Sequence, residues 1–261
     1  MKKTESKIIE VSHLKNHLGD TWVHKDVSFV VGKEQIVAIV GGSGSGKTTI
    51  LRCILMLMTP SAGKIRVFDT DIFNCSYAQA DRVRRRWGVM FQSGALFSSL
   101  TLLENVEFPL RVFTHLSQKL REEIALLKIT QVGLSANDAN KYPAELSGGM
   151  QKRAAVARAI VLDPELLFLD EPTSGLDPHS ANAFDDLVLQ LRDDLGITVV
   201  MVTHDIDSLW RATDSVVFLG EGKVLAQDPI EKLVESENPV IKDYFSGPRG
   251  QRREEAKDVE K

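Results

Sequence analysis

Cysteine is almost missing from this chain: only Cys53 and Cys75 occur in 261 residues. Two thiols so placed form neither a disulfide framework nor the Cys/His spacing of a zinc knuckle. Long apolar runs are missing too, since none approaches the roughly 18–20 residues that a membrane-crossing helix needs. The opening segment, MKKTESKIIEVSHLK, lacks the apolar centre of a secretion signal, so the sequence predicts a protein that stays in the cytoplasm. No charge of one sign dominates. Lys and Arg total 32 against 36 for Asp and Glu, a net charge of -4 that gives no reason to expect a nucleic-acid partner. There is no internal repeat. What remains is the balance of a soluble globular protein, 43% hydrophobic and 26% charged, long enough for one substantial core with a smaller appendage.

Short apolar runs supply that core. Ile8–Val11, Val27–Val31 and Ile36–Val40 read as strands, the last almost wholly apolar, as a strand covered on both faces would be. Ile65–Phe68 alternates and predicts a half-exposed strand, whereas Leu166–Leu169 and Ile197–Val202 predict buried ones. Ser215–Leu219 opens a hairpin that turns through Gly220-Glu221-Gly222 into Lys223–Leu225. Residues 95–160 carry a mostly helical pattern, including Lys119–Val132 and Gly149–Leu162, and read as a helical insertion into an α/β core. Residues 247–261 hold almost no large apolar side chains and cannot build a core alone.

Gly41-Gly42-Ser43-Gly44-Ser45-Gly46-Lys47-Thr48 fits the phosphate-loop pattern, and it lies between an apolar strand and the predicted helix Thr49–Leu55. Glycines let successive N–H groups curve toward phosphates, and the helix start adds a favourable dipole. Lys47 would reach the β- and γ-phosphates, and Thr48 would give magnesium a hydroxyl ligand. Asp170 and Glu171 end a buried strand, where ligands of parallel sheets gather. Asp170 is the candidate to hold magnesium through water, and Glu171 the candidate to orient an attacking water. His204 follows another buried strand. By itself it reads equally as a structural histidine or as a contact to the γ-phosphate.

Taken together, GGSGSGKTT at 41–49 (Thr49 included), Gln92 in VMFQSG, LSGGMQKR at 146–153, LLFLDEPTSGLDP at 166–178 and His204 in VTHD closely resemble the ATP-binding subunit of an ABC transporter. These elements fall in order over residues 8–245. The resemblance implies an α/β fold: a P-loop NTPase core with an antiparallel β subdomain and a helical insertion at about 95–160, spanning residues 1–245, followed by a charged tail at 246–261. It makes ATP and magnesium the ligands. Gln92 resembles the lid residue that senses magnesium and water, and His204 the switch histidine. Ser147, Gly148 and Gly149 resemble the signature that meets the γ-phosphate of an ATP held by an opposing subunit, and Ser174–Asp177 the loop that crosses the dimer interface. Ser147 can also cap the helix that follows it. One set of motifs implies pairing with a second copy or a homologue.

Met150 narrows the resemblance, because the common signature has glutamine there. With FQSGALFSSLTLLENVEFPLR at 91–111 it resembles the lipid-trafficking branch that works with Mce-domain proteins (the Mla systems). That branch implies a self-paired ATPase at the cytoplasmic face of the inner membrane, an integral-membrane permease, an Mce-domain lipid-binding protein, a STAS-domain protein and a glycerophospholipid cargo. The alternatives are an importer ATPase for amino acids or another small solute, and a non-transport ABC ATPase acting on nucleic acid or ribosomes. Ala95–Phe97 and Leu100–Leu103 read either as a patch that receives a partner's helix or as packing inside the insertion. The sequence departs from the family at adenine: Leu18 stands where an aromatic is usual. Trp22 is nearby and could take over the stacking, or could pack beneath the first sheet. In the tail, Arg249, Arg252, Arg253, Glu254 and Glu255 could pair with a neighbouring copy or stay unordered.

Overall fold

The computed structural model describes residues 6–246. The tail, with its candidate pairing residues, lies outside the described residues from 247 on. Contacts divide the protein into two compact units, one of residues up to Ala80 and from Val202 onward, the other of Asp81–Met201.

The chain runs β1 (Lys7–Leu18), β2 (Thr21–Gly32), β3 (Ile36–Gly41), α1 (Lys47–Ile54), β4 (Ala62–Val67), β5 (Thr70–Asp71) and α2 (Tyr77–Arg84). There follow β6 (Trp87–Met90), α3 (Leu102–Phe113), α4 (Gln118–Gln131), α5 (Gly148–Ala159), β7 (Leu166–Asp170), α6 (Pro178–Leu195) and β8 (Thr198–Val202). The last stretch is α7 (Ile206–Ala212), β9 (Ser215–Gly220), β10 (Lys223–Asp228), α8 (Ile230–Val234) and α9 (Pro239–Ser246).

In the first unit the strand order is β5-β4-β1-β2-β10-β9-β3. The β1–β2 hairpin pairs antiparallel with register shifts, and β4 pairs antiparallel with β1. β3 and β9 are parallel, every residue of β3 is buried, and its apolar content needs cover on both faces. The turn between β9 and β10 uses Glu221 and Gly222, both with positive φ, the conformation of a tight two-residue hairpin. The expected strand at Ile65–Phe68 stops at Val67, because Phe68 and Asp69 take φ of 49° and 62° to turn toward β5.

In the second unit the order is β8-β7-β6, with β6 and β7 parallel. β7 and β8 are buried along their full lengths. Gly88 permits close packing of β6 on α5: a Cβ there would meet the Ala159 carbonyl oxygen at 2.1 Å. The helix α3 starts at a full capping box, with the Thr101 hydroxyl accepting from the Glu104 N–H and the Glu104 carboxylate accepting from the Thr101 N–H. No helix among the described residues is long and apolar enough to cross a membrane.

Candidate functional site

The P-loop connects β3 to α1. Gly46 sits at the N-cap of α1 with φ 90° and ψ 14°, a left-handed conformation that glycine adopts without a Cβ clash. No side chain caps α1 and no acidic residue occupies its first turn, so the helix start presents its N–H groups and positive dipole end to an anion. Lys47 folds over the loop and donates from Nζ to the carbonyls of Gly41 at 2.8 Å and Gly42 at 3.1 Å. Ser43, Gly44 and Thr48 are exposed, Thr49 is half-buried, and the hydroxyl of Ser45 is buried without a hydrogen-bond partner.

A buried polar chain, unmarked by any motif, supports the loop from behind. Cys53 donates from Sγ to Asn16 Oδ1 at 3.6 Å, and Asn16 Nδ2 lies 2.9 Å from His24 Nδ1. With the Asn16 oxygen engaged by the thiol, its amide donates to Nδ1, which leaves the proton of a neutral His24 on Nε2. That edge faces the loop: a Cβ on Gly46 would meet His24 Nε2 at 2.1 Å and Val23 Cγ1 at 2.6 Å. Burial lowers the His24 pKa against the opposing pull of the Ser45 and Gly46 backbone, and burial pushes the Cys53 thiol up to about 11.

Trp22 is on β2, two residues before His24, with 47% of its surface exposed. It does not pack beneath the sheet. Its ring lies against His17 at 4.8 Å between centroids, while Leu18 is also exposed at the end of the hairpin. His204 follows β8 as an exposed residue, flanked by buried Thr203 and by Asp205, whose carboxylate caps α7 by accepting from the Asp207 and Ser208 N–H groups.

The other candidates belong to the second unit. Asp170 ends β7 and is 8% exposed. Glu171 follows with φ 49°, a left-handed backbone uncommon for a side-chain-bearing residue. Pro172 and Thr173 are buried, and the loop closes with Ser174 N–H donating to the Glu171 carbonyl at 3.3 Å. Asp177 caps α6, accepting from the Ser180 N–H at 3.0 Å and its hydroxyl at 2.6 Å, and these bonds hold its carboxyl below the usual range. Beside it, Ser147 caps α5 by accepting from the Met150 N–H at 3.3 Å. A Cβ on Gly148 would meet only Leu176 at 3.9 Å, and one on Gly149 only Ser180 at 4.0 Å. Neither glycine has positive φ, so nothing among the described residues demands glycine at these two positions. A close external approach would.

Directly after the signature, α5 donates to backbone carbonyls of several loops and of α6. Gln151 bonds the Pro143 and Leu146 carbonyls, and Lys152 those of Gln92 at 2.5 Å and Glu171 at 3.1 Å. Arg153 joins the Val132 and Ala183 carbonyls, and Arg158 those of Gly94 and Ala95. Gln92, the residue after exposed Phe91, has an exposed side chain while its backbone is held by Lys152. The segment after it divides between the two expectations for its apolar groups: Leu102 is buried, whereas Phe97 is 44% exposed and packs on Phe108. Buried Asn105 fixes that segment, donating to the carbonyls of Phe97, Leu100 and Thr101 and accepting from the Phe97 N–H.

Among the described residues no three His, Cys, Asp or Glu side chains cluster as a cation cage. Magnesium keeps several waters and uses one or two protein oxygens together with phosphates. The Thr48 hydroxyl and the Asp170 carboxylate are oxygen donors of that kind.

The family model described as ABC transporter matches residues 24–174. The chain is 39% identical over 240 residues to the intermembrane phospholipid transport system ATP-binding protein MlaF of Haemophilus influenzae, covering 92% of this chain and 90% of that one. It is 34% identical to MlaF of Escherichia coli K12, covering 95% and 91%, and 36% identical to the probable ribonucleotide transport ATP-binding protein mkl of Mycobacterium bovis, covering 92% and 67%. Among solved structures, the ATP-binding cassette MJ0796 bound to ADP and Pi, a dimeric post-hydrolysis state, aligns with TM-score 0.76 at 31% identity, over 85% of this chain and 98% of that one. The cbiO1 protein of Clostridium perfringens, part of the ABC transporter complex cbiONQ, aligns with TM-score 0.81 at 29% identity, over 96% and 100%.

Proposed function

Because the chain belongs to the ABC transporter family as an ATP-hydrolysing subunit, we propose that it powers phospholipid movement between the inner and outer membranes of a Gram-negative envelope. The observation that carries the lipid reading is nearly full-length similarity to two phospholipid-transport ATP-binding proteins.

In this reading the N–H groups of Gly41–Thr49 take the phosphates, and Lys47 exchanges the Gly41 and Gly42 carbonyls for the β- and γ-phosphate oxygens. Trp22 stacks on adenine. Thr48, Asp170 and Gln92 hold magnesium, which neutralises phosphate charge when bound. Glu171 orients a water and takes its proton. The water oxygen then bonds to the γ-phosphorus as the bond to the ADP oxygen breaks, and His204 contacts the γ-phosphate. Glycine at 148 and 149, unexplained by packing within the chain, fits the approach of an ATP held by a second copy; Ser147 and Asp177 border the same surface. A permease segment takes the apolar ground around Phe91 and Phe97, which places the ATPase at the cytoplasmic face of the inner membrane. Mce-domain and STAS-domain proteins complete the assembly.

The test is ATPase activity of the chain copurified with its permease and reconstituted in phospholipid. Stimulation several-fold by phospholipid delivered on an Mce-domain protein, with none from amino acids, is the expected result. Similarity to mkl favours a second reading in which ribonucleotides are the cargo. Stimulation by ribonucleotides or amino acids without a lipid response would overturn the lipid assignment.

A further inference from the structure

Lys152 is 8% exposed, yet both of its hydrogen bonds go to neutral backbone carbonyls rather than to a carboxylate. Burial lowers its pKa, and the fields of Glu171 and Asp170 oppose that shift. A lysine ammonium has three donors and no acceptor, so burying one against two carbonyls fixes whatever bears them. Those carbonyls belong to Gln92 and Glu171, the residues given the lid and water-orienting roles above. Glu171 has φ 49°, a left-handed backbone that a non-glycine residue keeps only where its surroundings hold it. Its carbonyl is held from two sides, by Lys152 Nζ at 3.1 Å and by the Ser174 N–H at 3.3 Å. The lid segment is held similarly: Lys152 takes Gln92, and Arg158 takes Gly94 at 2.7 Å and Ala95 at 2.8 Å, the latter with φ 48°. The side-chain donors, Lys152 and Arg158, both stand on α5, whose first residues follow Ser147.

We propose that Lys152 is a positioning residue: it locks the backbones of Gln92 and Glu171 to α5, so that the helix whose start meets one nucleotide sets the lid and carboxylate that act on another. This rests on the ATPase reading and adds a link between the two nucleotide positions. Lys152 touches no substrate. Its removal therefore acts on turnover, not on nucleotide affinity, which depends on the P-loop.

The experiment compares Lys152→Met, Lys152→Gln and Lys152→Arg in the transporter complex, measuring kcat, KM for ATP, ATP affinity and melting temperature, with Glu171→Gln as control. Lys152→Met is expected to lower kcat at least tenfold with ATP affinity within about twofold of wild type. Lys152→Arg, which keeps charged donors, should recover much of the loss, and Lys152→Gln should lie between. The double variant Lys152→Met/Gln92→Ala should be little slower than the slower single variant, because the two changes disable one unit. A kcat within twofold of wild type in Lys152→Met would overturn the proposal. Parallel loss of affinity and melting temperature in Lys152→Met and Lys152→Gln would do so too, reducing the residue to general support. Should Glu171→Gln retain turnover, the ATPase site assignment fails instead.

Discussion

Beneath the phosphate loop, two residues paired across one hairpin, Asn16 and His24, and the more distant Cys53 form one buried polar line. Because burial raises the Cys53 pKa to about 11, its thiolate is scarce at neutral pH and grows only as pH climbs toward that value. Alkylation of Cys53 in the folded protein should therefore be negligible at pH 8 and become rapid on unfolding, as mass spectrometry of labelled peptides would read. Fast native labelling would contradict the packing beneath α1. Trp22 gives a second residue-scale test. Stacking of an exposed aromatic contributes roughly 0.5–1.5 kcal/mol beyond its area. Trp22→Ala should weaken ATP binding up to about tenfold while leaving inorganic tripolyphosphate unaffected, measured by calorimetry; equal loss for both ligands would assign Trp22 to the fold. At this scale the sequence exposed what a motif contains and hid what lies behind it. Lys47 and Thr48 are legible from their spacing, whereas Cys53 and Lys152 acquire their partners, Asn16 and Gln92, only when distant segments fold together.

At the scale of elements, the buried strands β3, β7 and β8 were legible because continuous apolar runs need cover on both faces, and β9 as the first arm of a hairpin. Helices α4 and α5 begin within a residue of their expected starts, set by the caps Ser117 and Ser147. β6 is not legible in the sequence because Trp87–Met90 is short and interrupted by Gly88, whose reason is the close approach of α5. β1 and β2 extend far beyond their apolar cores, since hairpin pairing carries the polar ends with it. The start of α5 makes a prediction with opposite signs. Glycine disfavours helix relative to alanine, and a Cβ at position 148 has room. Gly148→Ala should leave stability unchanged or raise it by about 0.5 kcal/mol while reducing ATPase activity sharply, read by denaturant titration and turnover. Loss of stability with activity retained would mean that the glycine serves the fold alone.

For the whole molecule, the family and the general architecture could be read from motif order, because each motif is a backbone device fixed to a strand end or helix start. The cargo could not be read from the chain's chemistry, since in the lipid reading proposed above the residues that touch the cargo belong to partner proteins. What the described residues do contain is a signature with glycines that their packing does not require, and a P-loop with an uncapped helix behind it, which the proposed function reads as the two halves of a shared site. The decisive measurement is the mass in solution of Glu171→Gln, in which hydrolysis should be nearly abolished and ATP retained. Light scattering should give about 58 kDa with saturating magnesium-ATP, twice the 29.0 kDa of one chain, and 29.0 kDa with ADP. A particle that stays at 29.0 kDa with ATP bound would contradict the shared nucleotide site.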